Sequence, residues 1–599
     1  LGKQAWNGPV RFAAGCALIV IAVVGLIAAR VWVEQPAPAR QSYAFGDASL
    51  TFSTDRTTVW QQGDCVTLRW ESERIREIHI DQVPTVGVRE MPWCVDRPTS
   101  APVFSITLQD DSVQHLIPFE FSPAQMRFVL IAMPLLILAA WCFRLHEGLG
   151  TAFSRLPSQL VAPFTVGNRV QPILVALFVA INAIVAWNAV TIRAWAGYDV
   201  EGHYANVMAL AQGRLPTRDD SAEFFSPPLP YVLPALISAV TGLTETPIQK
   251  VGQLQNIVVS LITTVMLLRL SARLYPDRAA PRAIALFLLA MLPVYYKSFA
   301  FMRGEPLVVM LALILCDRLL TLTTDSARWR DAIVIGVCGG LLMLARQWGA
   351  LVLLGTALWW AMLWLRQRPT ALTLLASGAV AGVITALIGG WFYLALTVQT
   401  GTPLAFNREA DPSPKPVTFS TGLGGTNLFT YPFTPGFDGQ ALPVFYTEIW
   451  GDYFGYFYLP RPLQPASFPA DAVRFMGVVN ALSLLPTAVF IAVFAWGGLL
   501  TVQFLRNPAD ARSRAISLFF LIVSASLAGF VWFLARYPSG DADTAKATYV
   551  LHVFPFLALM AGDLLGRLLQ RHRRIATGIL IALALVAAHN LPMLLTRLT

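Results

Sequence analysis

At 599 residues, 55% hydrophobic and 13% charged, with a mean hydropathy of +0.57, the chain has too few charges to surround a soluble core of its size. Its net charge of +9 does not indicate a nucleic-acid partner, because the basic residues sit in short clusters between apolar runs. Those runs, roughly 17–25 residues each, are the pattern of a polytopic α-helical membrane protein.

The basic clusters orient the runs. They lie at Arg144 to Arg169, Arg269 to Arg282, Arg328 to Arg330, Arg366 to Arg368, Arg506 to Arg514 and Arg567 to Arg574. Short Lys/Arg-rich loops stay cytoplasmic. Placing all of them inside gives about 13 spans by the rule of about 20 residues per span. They fall near 11–33, 124–143, 171–192, 250–270, 283–300, 305–323, 332–346, 348–365, 371–396, 474–500, 516–535, 549–566 and 575–595, with the N-terminus inside and the C-terminus outside. Leu229 to Leu243 is short and interrupted by prolines, and reads as a re-entrant or interfacial segment.

In chain order, residues 1–33 read as an uncleaved membrane anchor, longer than the apolar core of a usual signal peptide. Residues 34–122 alternate apolar and polar at Ser49 to Ser53, Cys65 to Trp70, Ile75 to Ile80 and Val103 to Leu108. That period predicts short strands of an extracytoplasmic β-sandwich inserted between the first two spans. Cys65 and Cys94 are the two cysteines of this segment, and an oxidising compartment favours a disulfide between them. The run Gly63 to Trp70 with Cys94 beyond it resembles small immunoglobulin-like modules of bacterial surface proteins. Residues 123–170 are then a second span with a cytoplasmic linker.

Residues 171–396 form the membrane core, with a first outer loop at 193–249. Asp199 stands at the mouth of a span, where an acidic side chain is costly against lipid and is a functional candidate by default. From Asp199 to Phe225 apolar positions recur at helical spacing, which predicts an amphipathic helix along the outer interface. In it Asp199 and His203 share a face, and Glu201 points elsewhere. An Asp before an apolar-periodic run is also a common helix N-cap, and the two roles are compatible. Asp199, Glu201 and His203 are also compatible with a divalent metal if another loop adds oxygen ligands; no other cofactor is implied. The topology places Lys297, Arg303, Glu305, Arg346 and Lys546 on the same outer face. A long outer loop, 397–473, ends in aromatics interleaved with acids, Glu448, Trp450 and Asp452 among them. Rings that stack on sugars and carboxylates that accept from hydroxyls are suited to a glycan, and an aromatic belt at the membrane interface accounts for the same residues. Residues 474–599 supply the last spans.

The order of these features resembles the GT-C superfamily of membrane glycosyltransferases, which includes protein O-mannosyltransferases and aminoarabinose transferases. Asp199 and Glu201 match its first-loop acidic element, and Gly213 with Pro216 its Gly-x-x-Pro step. Pro227-Pro228-Leu229 with Tyr231 match its return to the membrane, and Arg303-Gly304-Glu305 its second outer loop. Gly339 to Arg346 and Gly540 to Tyr549 fit later elements. The likeness spans roughly residues 170 to 570. Two spans and a β-domain precede Asp199 here, and the acids are Asp-Val-Glu rather than adjacent. The resemblance implies transfer of a hexosyl or pentosyl group from a polyprenyl-phosphate donor to an acceptor hydroxyl on a glycan, lipid or protein, at the extracytoplasmic face of the cell membrane. In that scheme Asp199 is the general base. Lys297, Arg303, Arg346 and Lys546 bind the donor phosphate, and Glu201, His203, Glu305, Glu448, Trp450 and Asp452 bind sugar or acceptor. A transporter or flippase of a lipid-linked substrate is the competing class, and it requires matched broken helices.

Overall fold

The computed structural model describes residues 21–124 with gaps at 23–24, 27, 34, 61–63, 82, 86–88 and 96–100; residues 161–406 with gaps at 168, 325–328 and 367–370; residues 425–458 with gaps at 435 and 438–439; and residues 470–537 and 543–597. The expected second span at 124–143, the linker to 160 and most of the first span lie outside these residues. The chain forms two compact units, one holding the N-terminal strands and the other the helices from residue 153 onward.

In the first unit, antiparallel strands build two four-stranded sheets, ordered β1-β2-β4-β7 and β6-β5-β8-β9. The strands of the first sheet are β1 (Ala39–Phe45), β2 (Ala48–Thr54), β4 (Cys65–Glu73) and β7 (Glu90–Cys94). Those of the second are β5 (Ile75–Ile80), β6 (Val83–Pro84), β8 (Phe104–Leu108) and β9 (Val113–Leu116), and β3 (Thr58–Val59) pairs in parallel with β10 (Ser122–Pro123). In β2 every second residue is buried, as a strand with one face on a core requires. Leu50, Phe52, Val66, Leu68 and Trp70 from one sheet share that core with Ile80, Phe104 and Ile106 from the other. Cys65 and Cys94 face each other in the β4–β7 register and form the disulfide.

In the second unit a helix stands at every expected span from 171 onward. They are α1 (Pro172–Thr191), α4 (Glu245–Leu274), α5 (Ala279–Ala290) with α6 (Pro293–Ala300), α7 (Glu305–Thr324), α8 (Trp329–Ala345), α9 (Gly349–Arg366) and α10 (Ala371–Thr400). After α11 (Ala441–Trp450) come α12 (Ala470–Arg506), α13 (Ala511–Arg536), α14 (Val553–Arg571) and α15 (Arg573–Asn590). The helices between α1 and α4 are α2 (Val200–Ala211) and α3 (Leu229–Thr241). Among the described residues eight helices are long and apolar enough to cross a membrane, and the pair α5–α6, bent by 61°, makes a ninth. The expected total of 13 is not reached there. α7 carries Asp317 and Arg318 within its length, and α8 has only 17 residues. The bend falls where Pro293 opens α6, since proline removes the backbone donor that would continue α5. α3 has 13 residues, about 20 Å at 1.5 Å each, too short for a hydrocarbon core of about 30 Å.

Candidate active site

The segment leaving α1 arrives at Asp199 by an unusual backbone path. Gly197 has φ +129°, and a side chain there would press on the Phe301 ring. Asp199 itself sits in the left-handed region, φ 53°, which carries strain for a residue with a side chain. It occupies the N-cap position of α2, and its carbonyl accepts from the His203 N–H, but its carboxylate caps nothing. The carboxylate instead reaches Lys546 Nζ at 3.4 Å, and Lys546 also pairs with Asp543 at 2.8 Å. The helix is shorter than expected, Val200–Ala211 rather than Asp199 to Phe225, because Gly213 turns the chain at φ +76°.

Three loops meet Asp199 from other parts of the chain. Arg303-Gly304-Glu305 approaches the end of α8 so closely that any side chain at 304 would collide with the Ala345 carbonyl. That contact sets Arg303 and Glu305 beside Arg346. Glu305 accepts from Arg303 (3.2 Å, two bonds) and from Arg346 Nε (3.2 Å). Arg346 Nη1 continues to Glu223 (3.3 Å) and to Ser226 Oγ. Arg303 Nη1 is buried and has no hydrogen-bond partner among the described residues, and none of these accepts from Arg346 Nη2.

A small cavity of about 40 Å³, partly open to solvent, lies against this group. Its charged lining is Asp199, Glu223, Arg346, Asp543 and Lys546. Phe225, Trp348, Phe406, Phe533, Tyr537 and Tyr549 form its aromatic wall. The cations here are not bare: each one has a carboxylate partner, so the cluster is a network of pairs rather than a ring of free positive charge. The local field at Asp199 is nonetheless positive. Burial would raise its pKa, but Lys546, then Arg303, outweigh it and bring the carboxyl down to about 2 from the ordinary 3.8. Burial works against the charge of Lys546, and Tyr549, Asp199 and Asp543 overcome it, so the ammonium holds its proton above the usual lysine range.

The other sequence candidates separate from this cavity. Lys297 pairs with Glu448 at 2.7 Å and lies 3.7 Å from Asp452, all three side chains 1% exposed or less. Tyr198, adjacent to Asp199, donates its hydroxyl to Glu448. Asp452 accepts from the backbone N–H of Phe457 (2.8 Å) and Tyr458 (2.7 Å) and so fixes the turn that follows α11. Trp450 is buried, stacked on Phe490, with its ring N–H on Thr487. These four residues line a closed interior and offer no surface to a phosphate or a sugar. His203 is buried and bonds Tyr231 through Nδ1 at 2.7 Å, and burial, with Arg303 and Arg346 nearby, keeps it neutral. Glu201 is exposed on the opposite side of α2. With His203 turned to Tyr231 and Asp199 to Lys546, the trio Asp199, Glu201 and His203 does not converge as metal ligands. Among the described residues no group of three or more His, Cys, Asp or Glu stands ready to hold a metal. Glu223 went unselected in the sequence. Its signal was an acid four residues before Pro227-Pro228-Leu229, the segment that re-enters the bundle.

No family model matches the chain, and no curated protein matches it. Among solved structures it is similar to ArnT from Cupriavidus metallidurans bound to undecaprenyl phosphate, at 15% identity over 70% of this chain and 75% of that one, with a TM-score of 0.41. It is also similar to the same protein in the apo state, at 16% identity over 66% of this chain and 80% of that one, with a TM-score of 0.31.

Proposed function

We propose that this protein is an integral-membrane glycosyltransferase that moves a sugar from a polyprenyl-phosphate donor to an acceptor hydroxyl at the extracytoplasmic membrane face. The observation that carries the reading is the Asp199 carboxylate, held on a left-handed backbone, free of capping, and open to a cavity where the Arg346 guanidinium keeps a donor in hand.

In the reaction the acceptor oxygen bonds to C1 of the sugar as the C1–O bond to the phosphate breaks, on the opposite face, with inversion. The hydroxyl proton passes to Asp199, and the electron pair leaves with the phosphate. Arg346, Lys546 and Arg303 offset the charge that grows on the phosphate oxygens. A phosphate monoester leaves without protonation, so a separate acid is unnecessary. A carboxyl with a pKa of about 2 is a weak base. The bound donor phosphate opposes the cations that depress it, and so raises Asp199 toward useful basicity only when donor is present. Glu305 and Glu223 position the two arginines. The aromatic wall supplies faces for the sugar or for the first isoprene units.

The transporter alternative requires two broken helices in matched positions; among the described residues α5–α6 is the single bent pair found. The decisive experiment is transfer of radiolabelled sugar from a panel of polyprenyl-phosphate sugars by the purified protein in detergent. Transfer by wild type and its loss in Asp199→Asn with donor binding retained supports the reading. Wild-type turnover in Asp199→Asn overturns the base assignment, and protein-dependent lipid movement across vesicles without transfer overturns the enzyme.

A further inference from the structure

The opposite end of the bundle carries a second charged cavity. α4 begins beside Asp199, where the Gln249 side chain reaches the Val200 carbonyl, and its last turn leads to Tyr275. At about 1.5 Å per residue these points lie roughly 40 Å apart. The cavity there measures about 300 Å³, and Tyr275, Asp277, Arg278, Arg512, Asp563 and Arg567 are among the residues that line it.

Asp563 is buried and fully engaged. It accepts from the Tyr275 hydroxyl (2.6 Å), the Trp496 ring N–H (2.8 Å) and Arg512, through Nε at 2.6 Å and through Nη2. Arg512 is thereby clamped, its guanidinium also over the Trp496 ring. Arg567 stands 3.8 Å from the same carboxylate with its side chain 40% exposed, and Arg278 is exposed at the rim. A second buried acid on this side of the bundle, Asp317, holds Arg269 (3.1 Å), Arg273 (2.7 Å) and Arg318 (3.8 Å) in the same manner. Two interior carboxylates therefore fix five guanidiniums at the surface. The positive-inside rule needs only basic composition in loops. Here the basic groups are also oriented, beside a cavity with room for a headgroup. Guanidinium edges match phosphate oxygens two to two, and basic pockets between spanning helices at the cytosolic side take acidic headgroups.

We propose that this cavity binds the phosphate of an anionic glycerophospholipid from the leaflet that the basic loops face. Asp277 is the one further acid in the lining; it sits exposed next to Arg278. The proposal stands apart from the transferase reading, since no residue of it touches the Asp199 cavity.

The test is native mass spectrometry of the full chain in detergent, titrated with phosphatidylglycerol, with phosphatidylcholine and with inorganic phosphate. Phosphatidylglycerol adducts form and phosphatidylcholine adducts do not. The pair Arg278→Gln with Arg567→Gln weakens phosphatidylglycerol binding about tenfold more than the pair Arg573→Gln with Arg574→Gln, exposed charges at the same end outside the cavity. Equal losses from the two pairs mean diffuse charge and overturn the site. Displacement of the lipid by millimolar inorganic phosphate, with phosphate retained as the adduct, means a soluble anion and overturns the lipid. Arg278→Gln alone, in an exposed loop, gives the same comparison against Arg574→Gln should the double variant fail to fold.

Discussion

Two charged clusters meet at Tyr198, and they differ in what they leave unsatisfied. Lys297 Nζ, Arg303 and Lys546 lie 6.0, 5.3 and 4.8 Å from the centre of its ring, so one aromatic ring stands near cations of both groups. On one side Lys297, Glu448 and Asp452 are closed from solvent, with partners for the ammonium and both carboxylates. On the other, Asp199, Lys546, Arg303 and Arg346 are paired too, yet guanidinium donors remain and a cavity lies alongside. With Glu223, Glu305 and Asp543 counted in the second group, each contains more acids than bases, so net charge does not tell them apart. The void and the unused donors do. Buried pairs with every valence met hold a fold together, whereas a network left short of acceptors beside open space is ready for an anion.

The sharpest way to break this contrast is Asp199→Asn. Sugar transfer is expected to fall by about 10²–10⁴-fold, the usual contribution of a positioned base, with donor affinity measured by equilibrium binding almost unchanged. A comparable loss from Glu448→Gln without unfolding would mean the two clusters are one machine. Next, Lys297→Met strands Glu448 and Asp452 in the interior, at a cost of about 3–5 kcal/mol. A strongly lowered Tm in detergent is the expected outcome, and an unchanged Tm would refute the structural role. Arg346→Lys keeps the charge but loses the planar fork. Donor KM is expected to rise about tenfold, with Tm held by the remaining contacts to Glu223 and Glu305.

Acid titration sharpens the comparison further. The Asp199 pKa is depressed on folding, so its contribution to stability is present above the ordinary 3.8 and is lost as pH falls toward about 2. Wild type should lose stability in that window, and Asp199→Asn should lose less, as read by thermal melts at stepped pH. The smallest effect belongs to Glu201→Gln: transfer within about twofold of wild type, as for most exposed side chains away from a site. A large loss would move Glu201 into the site.

Much of this was legible along the chain. Strands at Ser49 to Ser53 and Ile75 to Ile80 follow from alternation, and the helices from residue 171 follow from apolar run length; both patterns are local. Cys65 and Cys94 were the two cysteines of one segment, and the disulfide joins them. Asp199 stood out because a carboxylate beside a membrane span demands a reason. What the sequence hid is long-range pairing. Lys297 and Glu448 are 151 positions apart, and Arg346 and Glu223 are 123 apart, and no periodicity links such residues. Lys297, Glu448, Trp450 and Asp452 have the residue types of a binding site, and along the sequence nothing distinguishes them from one. What separates them from it is that their charges are met within the group and none of the four lines the cavity beside Asp199. The charges within α7 likewise made a span count depend on where Asp317 found its arginines.

The backbone twist at position 199 also dictates which replacements there can be interpreted. Asparagine and glycine enter the left-handed basin with little penalty, whereas alanine, glutamate and the β-branched residues resist it. An alanine scan through this loop would therefore mix a lost proton acceptor with a displaced loop, and a glutamate swap would test reach and conformation together. Asparagine keeps shape and torsion and removes the charge alone, which makes this one position a place where a single amide-for-acid exchange reads chemistry without geometry.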